Sequence, residues 1–207
     1  MKKFFTAVPL QHRADGLKLL DYQAVGNSRL QMDAPISFPI LTAVNGYAQP
    51  GEDFRLIAVM PDAEATRRNR EELSAQLSAL CARRGLSCPG GVETVLTEDS
   101  QTVAAHAGTF QKLLDYVDDE DELFACMTFG TKPLSQAMML AMQYAYRVKR
   151  NASISCVVYG EVNRGGAGES GKVYDMTALI QLDEIIHMLA ERGVADPKRA
   201  LEQLFRM

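Results

Sequence analysis

The run Cys126-Met127-Thr128-Phe129-Gly130-Thr131-Lys132-Pro133 gathers the groups best suited to hold an anion. Gly130 permits a tight or left-handed turn and close approach by a ligand. Pro133 fits the first position of a following helix, where its missing N–H costs nothing. Bare N–H groups and the positive end of the helix dipole then face the mouth of a sheet, a natural seat for a phosphate. Lys132 adds a mobile point charge, and Thr128 and Thr131 add hydroxyl donors. The same strand-Gly-Thr-Lys-helix turn also serves as a plain connection, and one glycine does not separate the two readings. The Gly130 turn carries neither the G-x-x-x-x-G-K-[ST] spacing nor a G-x-G-x-x-G fingerprint.

Other residues offer weaker chemistry. Gln11, His12 and Arg13 follow the first apolar segment and are expected on the same rim. Asn163-Arg164-Gly165-Gly166 reads either as a cover over the ligand or as an exposed hairpin. Arg67, Arg68 and Arg70 read as the solvated face of a helix. Asp175 and Thr177 read as capping residues. The acidic run Asp118–Glu122 reads as a solvated connection. No Ser-His-Asp or Cys-His arrangement can be assigned, and Gly168-Glu169-Ser170-Gly171 is one residue short of a nucleophile elbow. Cys81, Cys88, Cys126 and Cys156 form no C-x-x-C pair and lie far in sequence from His12, His106 and His187, which leaves zinc without support. Reduced thiols fit a reducing compartment, and a cytoplasmic protein with no metal or cofactor is expected.

Positioning these groups requires a regular scaffold. With 207 residues, 47% hydrophobic and 23% charged, the chain has the composition of one ordinary globular domain. Strands are expected at Lys3–Leu10, Leu17–Val25, Phe54–Met60, Val92–Leu96, Leu123–Phe129 and Ile154–Tyr159, and a short extended piece at Lys172–Met176. Helices are expected at Pro35–Tyr47, 64–84, Thr102–Val117, Pro133–Arg150, 179–192 and 197–206. In the helix at 64–84, Leu73, Leu77, Leu80 and Cys81 share one face. Alternating strands and helices require crossover connections, hence an α/β, Rossmann-like, mainly parallel sheet with helices on both faces. A ligand-binding domain at 1–178 is expected to carry helices at 179–207 packed on it. Ligands of such sheets bind beyond the carboxyl ends of the strands. Pro9–Arg13, Met60–Asp62, Thr128–Lys132 and Gly160–Gly166 should gather there.

A net charge of −4 argues against bulk coating of nucleic acid, and no apolar run is long enough to span a bilayer. The apolar stretch before Pro9 is shorter than an export signal needs, so a buried first strand is expected.

Residues 121–189 resemble the CARF domain, the sensor domain of ancillary proteins in type III CRISPR systems. An apolar strand runs into Thr128-Phe129-Gly130-Thr131-Lys132-Pro133 and a long Met- and Ala-rich helix. Cys156-Val157-Val158-Tyr159-Gly160 and Val173-Tyr174-Asp175-Met176-Thr177-Ala178-Leu179 follow. Phe38-Pro39-Ile40-Leu41 and the strand at 54–60 are consistent with the family's first half. The resemblance implies a homodimer that binds a cyclic oligoadenylate across its two-fold axis. The ligand-binding turn would be Thr128, Gly130, Thr131 and Lys132, with Leu10 and Gln11 as second contact and Arg164 nearby. The chain departs from the family at Phe129 and Lys132, where many relatives carry histidine or arginine, and no R-x(4–6)-H ribonuclease motif accompanies it. Two alternatives stand beside the sensor. One is a ring nuclease, with Lys132 as the catalytic residue stabilising charge while a ribose 2′-OH attacks. The other is a metabolic or regulatory protein that binds a mononucleotide. Met138, Met139, Met142 and Tyr146 give the helix after Lys132 more apolar surface than one face needs, which fits either a dimer seam or deep burial.

Overall fold

In the first strand, β1 (Lys2–Ala7), neighbouring phenylalanines point to opposite faces, and both are buried: Phe4 is 0% exposed and Phe5 3%. A strand covered on both sides must lie between two layers. The computed structural model describes residues 1–11, 16–163 and 170–204, and it shows those layers. The chain continues through β2 (Tyr22–Val25), a single helical turn at Ser28–Leu30, α1 (Ile40–Tyr47), β3 (Phe54–Pro61), α2 (Glu64–Arg84) and β4 (Val92–Thr97). It then runs through α3 (Val103–Leu114), β5 (Glu122–Cys126), α4 (Lys132–Val148), β6 (Ser153–Asn163) and β7 (Ser170–Asp175).

The seven strands lie in the order β2-β7-β6-β5-β1-β3-β4. All neighbours pair in parallel except β6 and β7, which form an antiparallel pair with Tyr159 opposite Tyr174. The fold is α/β and Rossmann-like, as the alternation of elements required. Helices α1 and α2 cover the Phe4 face, where Leu41, Val44, Leu73 and Leu77 close one core with Phe54 and Phe124. Helices α3 and α4 pack together over the other face. Phe4 stacks on Phe124 at 4.4 Å and meets Phe54 edge-on at 5.4 Å, which fixes the three central strands against α1.

Several expectations change. The Gly-rich stretch read as a loop from Gly160 begins inside a strand, because β6 runs on to Asn163 to pair with β7. The strand before the Gly130 turn stops at Cys126, so Phe129 lies in the turn itself and meets Phe38 edge-on. The acidic run does not simply face water. Asp121 is 2% exposed and bonds the equally buried Lys3 at 2.6 Å. A lysine in a doubly covered strand must be paired, and Asp118, at 2.8 Å, supplies a second carboxylate. Asp175 also reaches a distant partner. It accepts a 2.7 Å hydrogen bond from Asn27 Nδ2, beside the Tyr47 hydroxyl. Arg70 is no solvated residue either, since it donates to Thr94 Oγ1 and the Val92 carbonyl.

The chain divides into two compact units, Met1–Asp175 and Met176–Met207. The second holds α5 (Thr177–Glu191) and α6 (Pro197–Leu204). Gly193 ends α5 in the left-handed region at φ +57°, and Asp196 Oδ1 caps α6 by accepting from the Arg199 amide at 3.0 Å. No helix among the described residues is long and apolar enough to cross a membrane.

Candidate functional site

After the excursion through β2 and α1, the chain from β1 returns to the sheet at β3 on one side, while that from β5 leads to β6 on the other, so the winding reverses between β1 and β5. Open α/β sheets place their crevice at such a point. The Gly130 turn sits there. Gly130 has φ +91°, and a Cβ on it would stand 2.9 Å from the Ala7 Cβ and 3.2 Å from Leu134 Cδ2. Both the conformation and the close approach to β1 therefore demand glycine.

Thr131 is the N-cap of α4, its hydroxyl accepting from the Leu134 amide at 3.4 Å. Pro133 falls at the second helical position, one later than expected, and supplies no N–H. With Leu134 capped, the bare amides are those of Gly130, Thr131 and Lys132, none of which donates to a described residue. Gly130 and Thr131 border a cleft of about 470 Å³, counting its open mouth. The cleft encloses little space, about 40 Å³, room for about three water molecules.

The remaining expected residues separate. Leu10, 53% exposed, lines the cleft with Gly130 and Thr131. The exposed Gln11 is held by its backbone: Asn69 Nδ2 donates to the Gln11 carbonyl at 3.0 Å and to the Pro9 carbonyl at 2.7 Å. Thr128 turns to the β6 side. Its Oγ1 accepts from the Gly160 amide at 2.7 Å and shares a hydrogen bond with Cys126 Sγ at 3.1 Å. Lys132 is exposed, does not line the cleft, and has no ion pair among the described residues. Arg164, His12 and Arg13 lie outside the described residues. Met138 and Met142 belong to the core, at 2% and 1% exposed, whereas Tyr146 and Leu140 are each 45% exposed.

Sequence reasoning passed over three parts of this site. Asn69 continues the buried stripe of α2, and its signal was a polar residue on the apolar face, one turn before Leu73. The loop after β4 lines the same cleft as Gly130 and brings Glu98 and Asp99 to it. His106, on the inner side of α3, also lines it, and its Nε2 is buried without a hydrogen-bond partner among the described residues.

Cys126 is 0% exposed and burial pushes its thiol up, so it is no nucleophile at neutral pH. Cys88 is pushed up to about 11 by the same cause. Among the described residues no group of three or more His, Cys, Asp or Glu could hold a metal ion. No protein-family model and no curated protein matches the chain, so the reading of this site rests on its own geometry.

Proposed function

We propose that the chain is a CARF-like sensor that binds a cyclic oligoadenylate between two copies of itself. The observation that supports this reading is the row of unpartnered amides at Gly130, Thr131 and Lys132, set against β1 where the sheet reverses its winding. Amides fixed in that way attract a phosphate oxygen, and the exposed Lys132 adds a positive charge next to them in the chain. The cleft encloses only about 40 Å³, so a ring-shaped ligand would extend beyond a single chain. A ring carries one phosphate per nucleotide and can have two-fold symmetry. Two copies related by a two-fold axis then each take one phosphate and cover the rest from both sides. The four free thiols fit a cytoplasmic setting.

Calorimetry with cyclic oligoadenylates, AMP and ATP tests the proposal. The expected result is one ring per two chains, bound at least about tenfold more tightly than either mononucleotide, a difference of about 1.4 kcal/mol. A preference for a mononucleotide at one per chain would replace the ring with an ordinary nucleotide as the ligand.

A further inference from the structure

The cleft has two chemically opposite walls. One carries the bare amides of Gly130 and Thr131, and the other belongs to Glu98 and Asp99, whose side chains are carboxylates. Neither carboxylate has a hydrogen bond or ion pair to a described residue, although Lys112 of α3 reaches the nearby Leu96 carbonyl. His106 also lines the cleft, and its buried Nε2 has no partner among the described residues. A purely anionic guest would gain from the first wall and be repelled by the second. A guest with a phosphate at one end and hydroxyl donors at the other satisfies both, because ionised carboxylates only accept hydrogen bonds.

We infer that the β4–α3 loop, through Glu98 and Asp99, accepts a hydrogen bond from a ribose hydroxyl, and that the site therefore selects ribonucleotides over deoxyribonucleotides. This rests on the reading of the Gly130 turn as the phosphate seat. In a ring joined through its 3′ and 5′ oxygens, the free hydroxyl is the 2′-OH, the group that distinguishes RNA from DNA. Because Glu98 and Asp99 are exposed, the discrimination is moderate, about tenfold, smaller than a buried hydroxyl site would give.

The experiment measures binding of a cyclic oligoadenylate and its 2′-deoxy counterpart, and in parallel AMP and 2′-deoxy-AMP. The proteins are the full chain and its E98A/D99A double variant. Both side chains are exposed, so the variant should fold normally, which its melting curve checks. The readout is the ribo-to-deoxy affinity ratio, in which loss of repulsion between the carboxylates and the phosphate cancels. A ratio of about ten in the wild-type chain, falling to near one in the variant, supports the inference. A wild-type ratio near one, or a ratio the variant leaves unchanged, overturns it. If no ring binds but AMP shows the ratio and its loss, the hydroxyl site stands and the ring is the wrong ligand. If neither ring nor mononucleotide binds, the phosphate seat and the hydroxyl site both fall.

Discussion

Thr128 Oγ1 accepts a 2.7 Å hydrogen bond from the Gly160 amide, which ties the turn after β5 to the neighbouring strand β6. The approach is closed from the other side by Pro39, whose Cγ would stand 2.4 Å from a Cβ on Gly160. The turn that presents the bare amides is therefore anchored by a side chain that does not itself line the cleft.

Replacing Thr128 with valine keeps the shape and removes the acceptor, leaving a part-buried amide unmatched. The expected cost is about 1–3 kcal/mol, read as a drop in Tm, while Thr128→Ser keeps the oxygen and should lose less. Equal losses in the two variants would show that the hydrogen bond contributes little.

Gly130 and Gly26 share left-handed backbones, at φ +91° and +79°, but only Gly130 is crowded. Gly26→Ala should cost about 1–2 kcal/mol from conformation alone. Gly130→Ala should cost a further 1–3 kcal/mol or so, because the methyl group meets Ala7 and Leu134. Denaturant titration of both variants isolates the steric part, and matching midpoints would contradict the close approach of the turn to β1.

Arg55 grips Glu93 through two hydrogen bonds of 2.7 and 2.6 Å, and this guanidinium holds the Glu93 carboxyl below its ordinary value. A depressed carboxyl stabilises the fold above its unfolded pKa, about 4.3, and that contribution is lost as pH falls through the lower folded value. Wild type should thus exceed Glu93→Gln by about 0.5–1 kcal/mol at pH 7, the gap closing below about pH 4. A gap that persists at pH 3 would assign the loss to packing.

His106→Leu removes a buried nitrogen that has no partner among the described residues. Since an unmatched buried polar atom costs about 1–3 kcal/mol, the variant should melt about 2–12 °C higher, at about 2–4 °C per kcal/mol for a chain of this size. A lower Tm would mean that His106 is satisfied in solution.

The layered fold was legible because strands such as Phe54–Pro61 are apolar on both faces and helices such as α2 carry a single stripe. The Gly130 turn was legible for a related reason: glycine, a capping threonine and proline in sequence leave few other backbones. What could not be read was pairing at long range. Nothing local to Lys3 announces Asp118 and Asp121, and nothing in Tyr22–Val25 announces β7 as its partner. The carboxylates of Glu98 and Asp99 escaped notice because a two-residue acidic loop is common, and only the path of β4 beside β3 and α3 carries it to the cleft. Thr128 and Lys132 were grouped with Gly130 by adjacency in sequence, but a sharp turn sends neighbouring side chains in different directions.

The edge strand β2 has consequences for how the molecule is built. Its hydrogen bonds run from Tyr22–Val25 to Gly171–Tyr174, so a ribbon made early in synthesis waits for one made almost at the end. The five strands β4, β3, β1, β5 and β6 can assemble in order as they leave the ribosome, each beside a neighbour already present. The excursion between β1 and α1 has no sheet to join until the hairpin of β6 and β7 arrives. Closure over so long a separation is entropically expensive and slow. The finished sheet is therefore sealed by its oldest loose end, and a nascent chain halted before residue 171 would carry an unpaired strand open to other chains.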